Sequence, residues 1–128
     1  MSRKTNDSLV LRLSYGERSF LLSGDAERPI EREMLDAGEV RPADVLKVAH
    51  HGSRTSSTEE FLDALHPWFA VISVGFENSY GHPHPAIVDR LAGRHATILR
   101  TDRDGLITIR TDGRRLRVET FTGVFKLR

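Results

Sequence analysis

The stretch that decides the fold is Asp44-Val-Leu-Lys-Val-Ala-His-His-Gly-Ser53. Its short apolar run, Asp44–Ala49, is bounded by Pro42 and by the cluster His50-His51-Gly52, a pattern that indicates a largely buried strand. Successive side chains of a strand point to opposite faces, so both histidines can serve one site only where the chain turns, and Gly52 permits a turn. The sequence therefore predicts a buried strand that carries two imidazoles at its carboxyl end.

Further strand ends lie on both sides of this stretch. Upstream, Ser8–Ser14 and Arg18–Ser23 flank a glycine-containing turn and predict a hairpin that runs into Gly24-Asp25. Downstream, Trp68–Val74 predicts a second buried strand, which leads into the polar loop Gly75–Pro85. We predict helices at Glu27–Ala37, after the capping residue Thr58 and at Ala86–Ala92. Further strands are predicted at Thr97–Arg100, Leu106–Arg110 and Leu116–Phe121, with turns between them at Asp104-Gly105 and Asp112-Gly113. The order predicts an α/β fold, a β-hairpin followed by β-α-β-α-β-α and terminal antiparallel strands, with helices covering one face of a layered sheet.

Length and composition restrict the possible functions. The 128 residues suit one domain, and no stretch approaches the roughly 18 consecutive apolar residues of a membrane-spanning helix. The first residues lack the apolar core of a secretory signal, so we expect this chain, made alone, to be soluble and cytoplasmic. Cysteine is absent, which excludes disulfides, thiolate zinc sites and cysteine nucleophiles. The net charge of +1 does not by itself imply a polyanionic partner, although Arg110, Arg114, Arg115 and Arg117 leave a local basic face open beside the simpler interpretation of a solvated strand.

Three strand ends supply a carboxylate and two groups of imidazoles. Asp25 follows the hairpin, His50 and His51 follow the next strand, and a proline-stiffened loop carries His82 and His84. Chemistry in α/β sheets gathers where strands end, and this oxygen and nitrogen ligand set suits zinc, manganese or iron. Each feature alone is also ordinary in turns, so their shared location is what indicates a site.

The segment 53–57, directly after the histidines, allows two interpretations. Its serines, together with Ser79, would suit nucleophilic chemistry with Asp25, but the sequence contains no Gly-x-Ser-x-Gly elbow. Hydroxyl groups beside an arginine suit hydrogen bonding to a phosphate group better. Nucleotide-binding glycine motifs are absent. The candidate phosphate-binding residues are Ser53, Arg54, Thr55 and Ser56.

Six segments, taken together, resemble the C-terminal half of the metallo-β-lactamase-like domain of the ComEC/Rec2 competence proteins, over about residues 6–121. They are Asn6–Leu13, Phe20–Asp25, Asp44–Ser53, Ile72–Gly75, Asn78–Pro85 and Arg100–Gly105. The resemblance implies half of a four-layer αββα sandwich with a metal site at one sheet edge. It also implies attack of a metal-bound hydroxide on a phosphodiester, by which one DNA strand is degraded during uptake. The resemblance further implies a parent protein that is embedded in the bacterial cell membrane.

The resemblance also implies roles for single residues. Asp25 would bridge two divalent metals, zinc or manganese. His50 is the first candidate for a further ligand, with His51 and His82 as alternatives. A histidine that is not a ligand would donate a proton to the leaving oxygen, which makes His51 and His82 the candidate catalytic residues.

One departure from the family concerns its principal ligand motif, His-x-His-x-Asp-His, which this sequence lacks. The segment His82-Pro-His84 begins like it, but Pro85, Ala86 and Ile87 follow. We therefore expect residues 1–128 to form a single partial domain, inactive alone and completed by an N-terminal half or a second chain. Two alternatives stay open: another phosphodiesterase of this fold, such as a phosphorylcholine-esterase-like hydrolase, or a non-catalytic module that holds nucleic acid on the arginine-rich terminal strands. A half-sandwich would also expose an apolar sheet face and favour homo-oligomers.

Overall fold

A computed structural model describes residues 9–75 and 81–127, apart from the side chains of His50 and His51. The strands are β1 Leu11–Tyr15, β2 Arg18–Leu22, β3 Val45–Lys47, β4 Phe69–Ile72, β5 Thr97–Arg100, β6 Thr108–Thr111, β7 Leu116–Glu119 and β8 Val124–Leu127. The helices are α1 Arg28–Asp36, α2 Glu59–Leu65, α3 Pro85–Gly93 and the single turn α4 Thr101–Asp104, and Ala49–Gly52 forms a 3₁₀ turn. Within the described ranges no helix is long and apolar enough to cross a bilayer.

The larger sheet contains five strands in the order β1-β2-β3-β4-β5. The hairpin β1-β2 is antiparallel, whereas β2, β3, β4 and β5 run parallel to one another. Leu22 pairs with Lys47, and Lys47 pairs with Val71, so these strands end at nearly the same level. We call this the carboxyl edge of the sheet. The ends of β2, β3 and β4, which precede the candidate site residues Asp25, His50 and His82, all lie at this edge.

Helices cover one face of the larger sheet. Strand residues Leu46, Ala70 and Ile72 are completely buried against them. The helix residues of this core are Phe61, Leu62, Leu65, Ile87 and Leu91, each at most 1% exposed. The predicted arrangement of helices on one face is therefore confirmed.

The smaller sheet, antiparallel in the order β6-β7-β8, covers the other face. Its Leu116 and Val118 are buried with Val45, Phe69 and Leu99 of the larger sheet. The rings of Phe69 and Phe125 meet edge to face with centroids 6.2 Å apart. Helices, one sheet and a second sheet therefore form successive layers, which confirms the predicted α/β fold class.

The smaller sheet leaves one strand uncovered. Leu11, Leu13 and Tyr15 of β1 are 43%, 54% and 60% exposed. Leu13 pairs with Phe20, which packs on the core between the two sheets, so these three side chains continue that core's face. An apolar stripe of β1 thus remains open to solvent.

Several element boundaries differ from those predicted. The strand predicted at Asp44–Ala49 ends at Lys47, because the chain already turns at Ala49. The strand predicted to end at Val74 stops at Ile72. There the N–H of Val74 donates to Oγ1 of Thr101, which donates in turn to the Val74 carbonyl, both at 2.8 Å, so a side chain replaces the sheet ladder.

The terminal region departs furthest from the prediction. Asp104 ends the helical turn α4, so Asp104-Gly105 is not a simple hairpin turn. The strand predicted from Leu106 begins at Thr108, and β8 was not predicted at all. The β7–β8 connection is closed by hydrogen bonds around Thr120, whose Oγ1 accepts from the N–H groups of Thr122 and Gly123. A threonine turn of this kind is a weaker sequence signal than Asp-Gly.

Candidate active site at the carboxyl edge

Asp25 lies in a tight turn directly after β2. The N–H of Ala26 donates to the Ser23 carbonyl at 3.1 Å and closes this turn. Gly24 has φ +57°, and a Cβ there would lie 2.6 Å from the Leu9 carbonyl oxygen, so only glycine fits. The turn presents the exposed Asp25 at the carboxyl edge.

His50 and His51 lie in the 3₁₀ turn that follows β3. The N–H of Val48 donates to the Val71 carbonyl at 2.8 Å and holds the start of this segment against β4. Because the strand has ended, the rule that successive side chains point to opposite faces no longer applies to the two histidines. The backbone of both residues is thus at the carboxyl edge, as the sequence predicts.

The second histidine loop packs directly on the first. The N–H of His84 donates to the Gly52 carbonyl at 2.8 Å. Gly52 has φ +83°, and a Cβ there would lie 2.5 Å from the Cβ of Pro83, so the two segments approach as closely as glycine allows. The structure thereby brings His82 and His84 next to the His50-His51 turn. Asn78, Ser79 and Tyr80 of the same predicted loop lie outside the described residues.

The Asp25 turn is bonded to the same cluster of loops. Oγ of Ser56 donates to the Ala26 carbonyl at 2.6 Å, and the N–H of Arg28 donates to the Thr55 carbonyl at 3.2 Å. These bonds join the residues after Asp25 to those after His51. The three predicted segments therefore meet at one edge, although they are far apart in the chain.

The candidate phosphate-binding residues occupy different environments. Oγ of Ser53 and Oγ1 of Thr55 are 2.9 Å apart and share a hydrogen bond. Ser56 is completely buried, and its hydroxyl is already used by Ala26. Arg54 is exposed. Of the four, Arg54 has the most accessible side chain, and the assignment of the set to phosphate stays a prediction.

His84 has a defined role in the fold. Its Nδ1 accepts a hydrogen bond from the N–H of Ala86 at 3.1 Å and caps the amino end of α3. In a neutral imidazole that accepts at Nδ1, the proton sits on Nε2. The cap thus fixes both the ring and its tautomer beside the first histidine turn.

Two polar residues that sequence reasoning missed lie near this edge. Lys47 is half-buried on the face of β3 that also carries Val45. Burial lowers the pKa of its ammonium group, and the negative charge of nearby Asp25 opposes that shift. A lysine in an otherwise apolar strand was the available signal. Oγ of Ser23 is buried and, among the described residues, has no hydrogen-bond partner. The sequence offers no signal for that.

Glu31, also missed, fixes the far end of the loop that follows the histidines. It is 1% exposed, and its carboxylate accepts from the N–H groups of Ser57 at 2.6 Å and Thr58 at 2.9 Å. Thr58 is the N-cap residue of α2 as predicted, but its side chain makes no capping hydrogen bond. Glu31 supplies the capping acceptor from another helix. The sequence signal for this role was the helical spacing of Glu31, which lies three and four residues before Met34 and Leu35 on the apolar face of α1.

The donor types at this edge suit a divalent metal, but the described side chains do not complete a metal site. Among the side chains that the structure describes, no group of three or more His, Asp or Glu residues is arranged to hold a metal ion. Asp25 provides an oxygen donor and His82 a nitrogen donor. A complete coordination shell requires further donors.

This layered fold and its edge of aspartate and histidine loops define a class of protein. Residues 4–75 match the Metallo-beta-lactamase superfamily, and the chain belongs to that superfamily. Within it, three relatives are ComEC-family competence proteins. The chain is 43% identical to ComE operon protein 3 of Bacillus subtilis over 87% of its length. It is 38% identical to competence protein ComA of Neisseria gonorrhoeae over 78%, and 34% identical to recombination protein 2 of Haemophilus influenzae over 88%.

The chain spans only a small part of these relatives. The matched segment covers 14% of ComE operon protein 3, 15% of ComA and 14% of recombination protein 2. The predicted resemblance to the competence proteins is confirmed.

Proposed function

We propose that this chain is the C-terminal half of a metal-dependent phosphodiesterase domain that cleaves DNA during competence. The observation that carries the proposal is the meeting of the Asp25 turn, the His50-His51 turn and the His82–His84 loop at one sheet edge. These segments are bonded through Ser56 and Gly52. Membership of the superfamily and the competence relatives support the metal and the nucleic-acid context, respectively.

The proposed roles divide between the donors at this edge. Asp25 and one imidazole, His50 or else His51 or His82, would hold a divalent metal, zinc or manganese, which when bound supplies an activated water for attack on phosphorus. His51 or His82, whichever is not a ligand, would donate a proton to the leaving oxygen. Arg54, with Ser53, Thr55 and Ser56, would orient the phosphate group.

The remaining ligands would come from a segment that carries His-x-His-x-Asp-His and packs against this chain. The open stripe of Leu11, Leu13 and Tyr15 supports such packing, because it continues the face of the core between the sheets. Burying apolar side chains of this size stabilises an interface by about 25 cal/mol per Å² of area removed from water. Residues 1–128 would then act as a partial domain. In a whole relative the same domain would belong to a membrane-embedded protein.

Metal titration and DNA cleavage test the proposal. Residues 1–128 alone should bind zinc or manganese weakly, as measured by calorimetry. They should cleave no DNA. Mixed with the matching N-terminal half, they should cleave a labelled oligonucleotide, and Asp25→Asn should abolish cleavage while Asp89→Asn, on an exposed helix position, should not. Robust metal-dependent cleavage by residues 1–128 alone would refute the partial-domain proposal.

Substrate preference distinguishes the DNA-cleaving hypothesis from the alternative phosphodiesterase. A phosphorylcholine-esterase-like enzyme would hydrolyse a nitrophenyl phosphorylcholine ester faster than DNA in the reconstituted domain. The DNA hypothesis requires the opposite preference in the same preparation. Both reactions should depend on Asp25, so the ratio of the two rates, and not their loss in Asp25→Asn, distinguishes the two hypotheses.

A further inference from the structure

The smaller sheet concentrates positive charge away from the carboxyl edge. Residues 108–127 contain five basic and two acidic residues, a net +3 in a chain whose total is +1. The strand register aligns three of the cations: Arg110 pairs with Arg117, and Arg117 pairs with Lys126. At a strand spacing of about 4.8 Å, this row spans about 10 Å.

The row faces solvent. Leu116 and Val118 of β7 point into the core, so Arg117 between them points outward, together with its partners on either side. Arg110 is 71% exposed and Arg117 52% exposed. Like charges directly opposite each other destabilise a sheet, so the fold gains nothing from this alignment.

Acidic residues neutralise only part of this charge. Glu119 binds Arg110 at 2.8 Å and lies 3.8 Å from Arg117. The carboxylate of Asp112 is occupied by the backbone N–H groups of Arg114 and Arg115, at 2.9 and 2.7 Å. Within residues 9–75 and 81–127, the side chains of Arg115 and Lys126 form no ion pair with an acidic residue, although the opposite charges of Arg115 and Asp112 attract each other at longer range.

Two cations of this row, Arg117 and Lys126, line a groove of about 410 Å³ together with Arg115. Its lining consists of Arg115, Leu116, Arg117, Lys126 and Leu127, and we call it the β7–β8 groove. It lies at the opposite end of the larger sheet from Asp25, because the adjacent turn is bonded to the start of β2: Arg18 Nε donates to the Arg114 carbonyl at 2.6 Å. The groove is therefore separate from the carboxyl edge.

We propose that the β7–β8 groove binds the phosphate backbone of a nucleic-acid strand. Guanidinium groups form paired hydrogen bonds with phosphate oxygens, and a row of cations follows a chain of phosphates better than it fits one small anion. An acidic membrane would instead require apolar side chains beside the cations to enter the lipid. Val124 is the one apolar residue facing outward from β6, β7 and β8, and the 91% exposed Phe121 lies in the turn at the other end of the β7–β8 hairpin from the groove. The proposal holds whether or not the carboxyl edge is catalytically active.

Fluorescence anisotropy with the full chain and an end-labelled oligothymidylate tests this proposal. The double variant Arg115→Ala/Lys126→Ala removes two cations that form no ion pair with any described residue. It should weaken binding about tenfold, with the slope of log K against log salt reduced by about 1.4. Arg32→Ala/Arg41→Ala removes the same charge on the helix side and should leave affinity within about twofold. Arg115→Lys keeps the charge and should retain the salt slope.

Other arms of the experiment distinguish the remaining ligands. In the presence of EDTA, when no metal acts at the carboxyl edge, the unaltered chain should bind the oligonucleotide with the same affinity, so failure of the groove and failure of the proposed metal site are separable. Equal weakening by both double variants would overturn the proposal. So would binding to phosphatidylserine vesicles but not to the oligonucleotide, or complete displacement of the oligonucleotide by inorganic phosphate at matched ionic strength.

Discussion

The N–H of His84 donates to the carbonyl oxygen of Gly52 at 2.8 Å, and this bond joins the two histidine loops. Pro83 packs on the bare Cα of Gly52 at the same point. The position of the His82–His84 loop at the carboxyl edge therefore depends on a residue without a side chain.

Gly52→Ala should displace the His82–His84 loop. The new Cβ would meet Pro83, and alanine is strained at φ +83°, so we expect a loss of about 2–4 kcal/mol in the free energy of unfolding and weaker zinc binding. Urea unfolding and calorimetry measure the two effects. Gly38→Ala is the matched control, since Gly38 has φ +70° and nothing within 4 Å of a Cβ. Equal losses in both variants would show that the contact with Pro83 is unimportant.

Removing the buried carboxylate of Glu31 should destabilise α2. Glu31→Ala leaves the N–H groups of Ser57 and Thr58 without their acceptor, which we expect to cost about 2–3 kcal/mol in urea unfolding. Glu31→Gln keeps one acceptor oxygen and should cost less. The exposed Glu33 on the same helix is the control, and Glu33→Ala should change stability by less than about 0.5 kcal/mol. A comparable effect of both alanine variants would contradict the capping role.

Much of this fold follows from local sequence signals, and the exceptions have a common cause. Apolar runs and turn residues correctly predict the hairpin, the three longer helices and the existence of the strands that lead into the Asp25 and His50 turns. The contacts that assemble the edge are of another kind. Glu31 caps a helix that begins 28 residues later, and Gly52 binds His84, 32 residues away. Such pairings depend on tertiary packing, which periodicity does not encode.

Asp104 should make stability depend on pH in acid. Burial alone would raise its pKa, but the N–H of Arg100, the charge of Arg103 and the hydroxyl of Thr122 lower the pKa below the ordinary 3.8. The carboxylate therefore stabilises the fold above about pH 4, and this contribution is lost as the pH falls through the lowered folded-state value. Asp104→Asn should be less stable near neutral pH and should lose less stability on acidification, measured by urea unfolding across that range. Asp89→Asn, at an exposed position, should keep the steeper dependence, and identical curves for both variants would exclude this role of Asp104.

The open stripe of β1 should govern self-association. Leu13 is 54% exposed beside Leu11 and Tyr15, and without a covering segment we expect copies of the chain to associate through this face at high concentration. Leu13→Ser should lower the mean mass measured by light scattering, because it makes the centre of the stripe polar. Leu106→Ser is the matched control: Leu106 is 82% exposed but lies outside the stripe, so its replacement should leave association unchanged. A monomeric unaltered chain at high concentration, or equal effects of the two variants, would show that the stripe does not drive association.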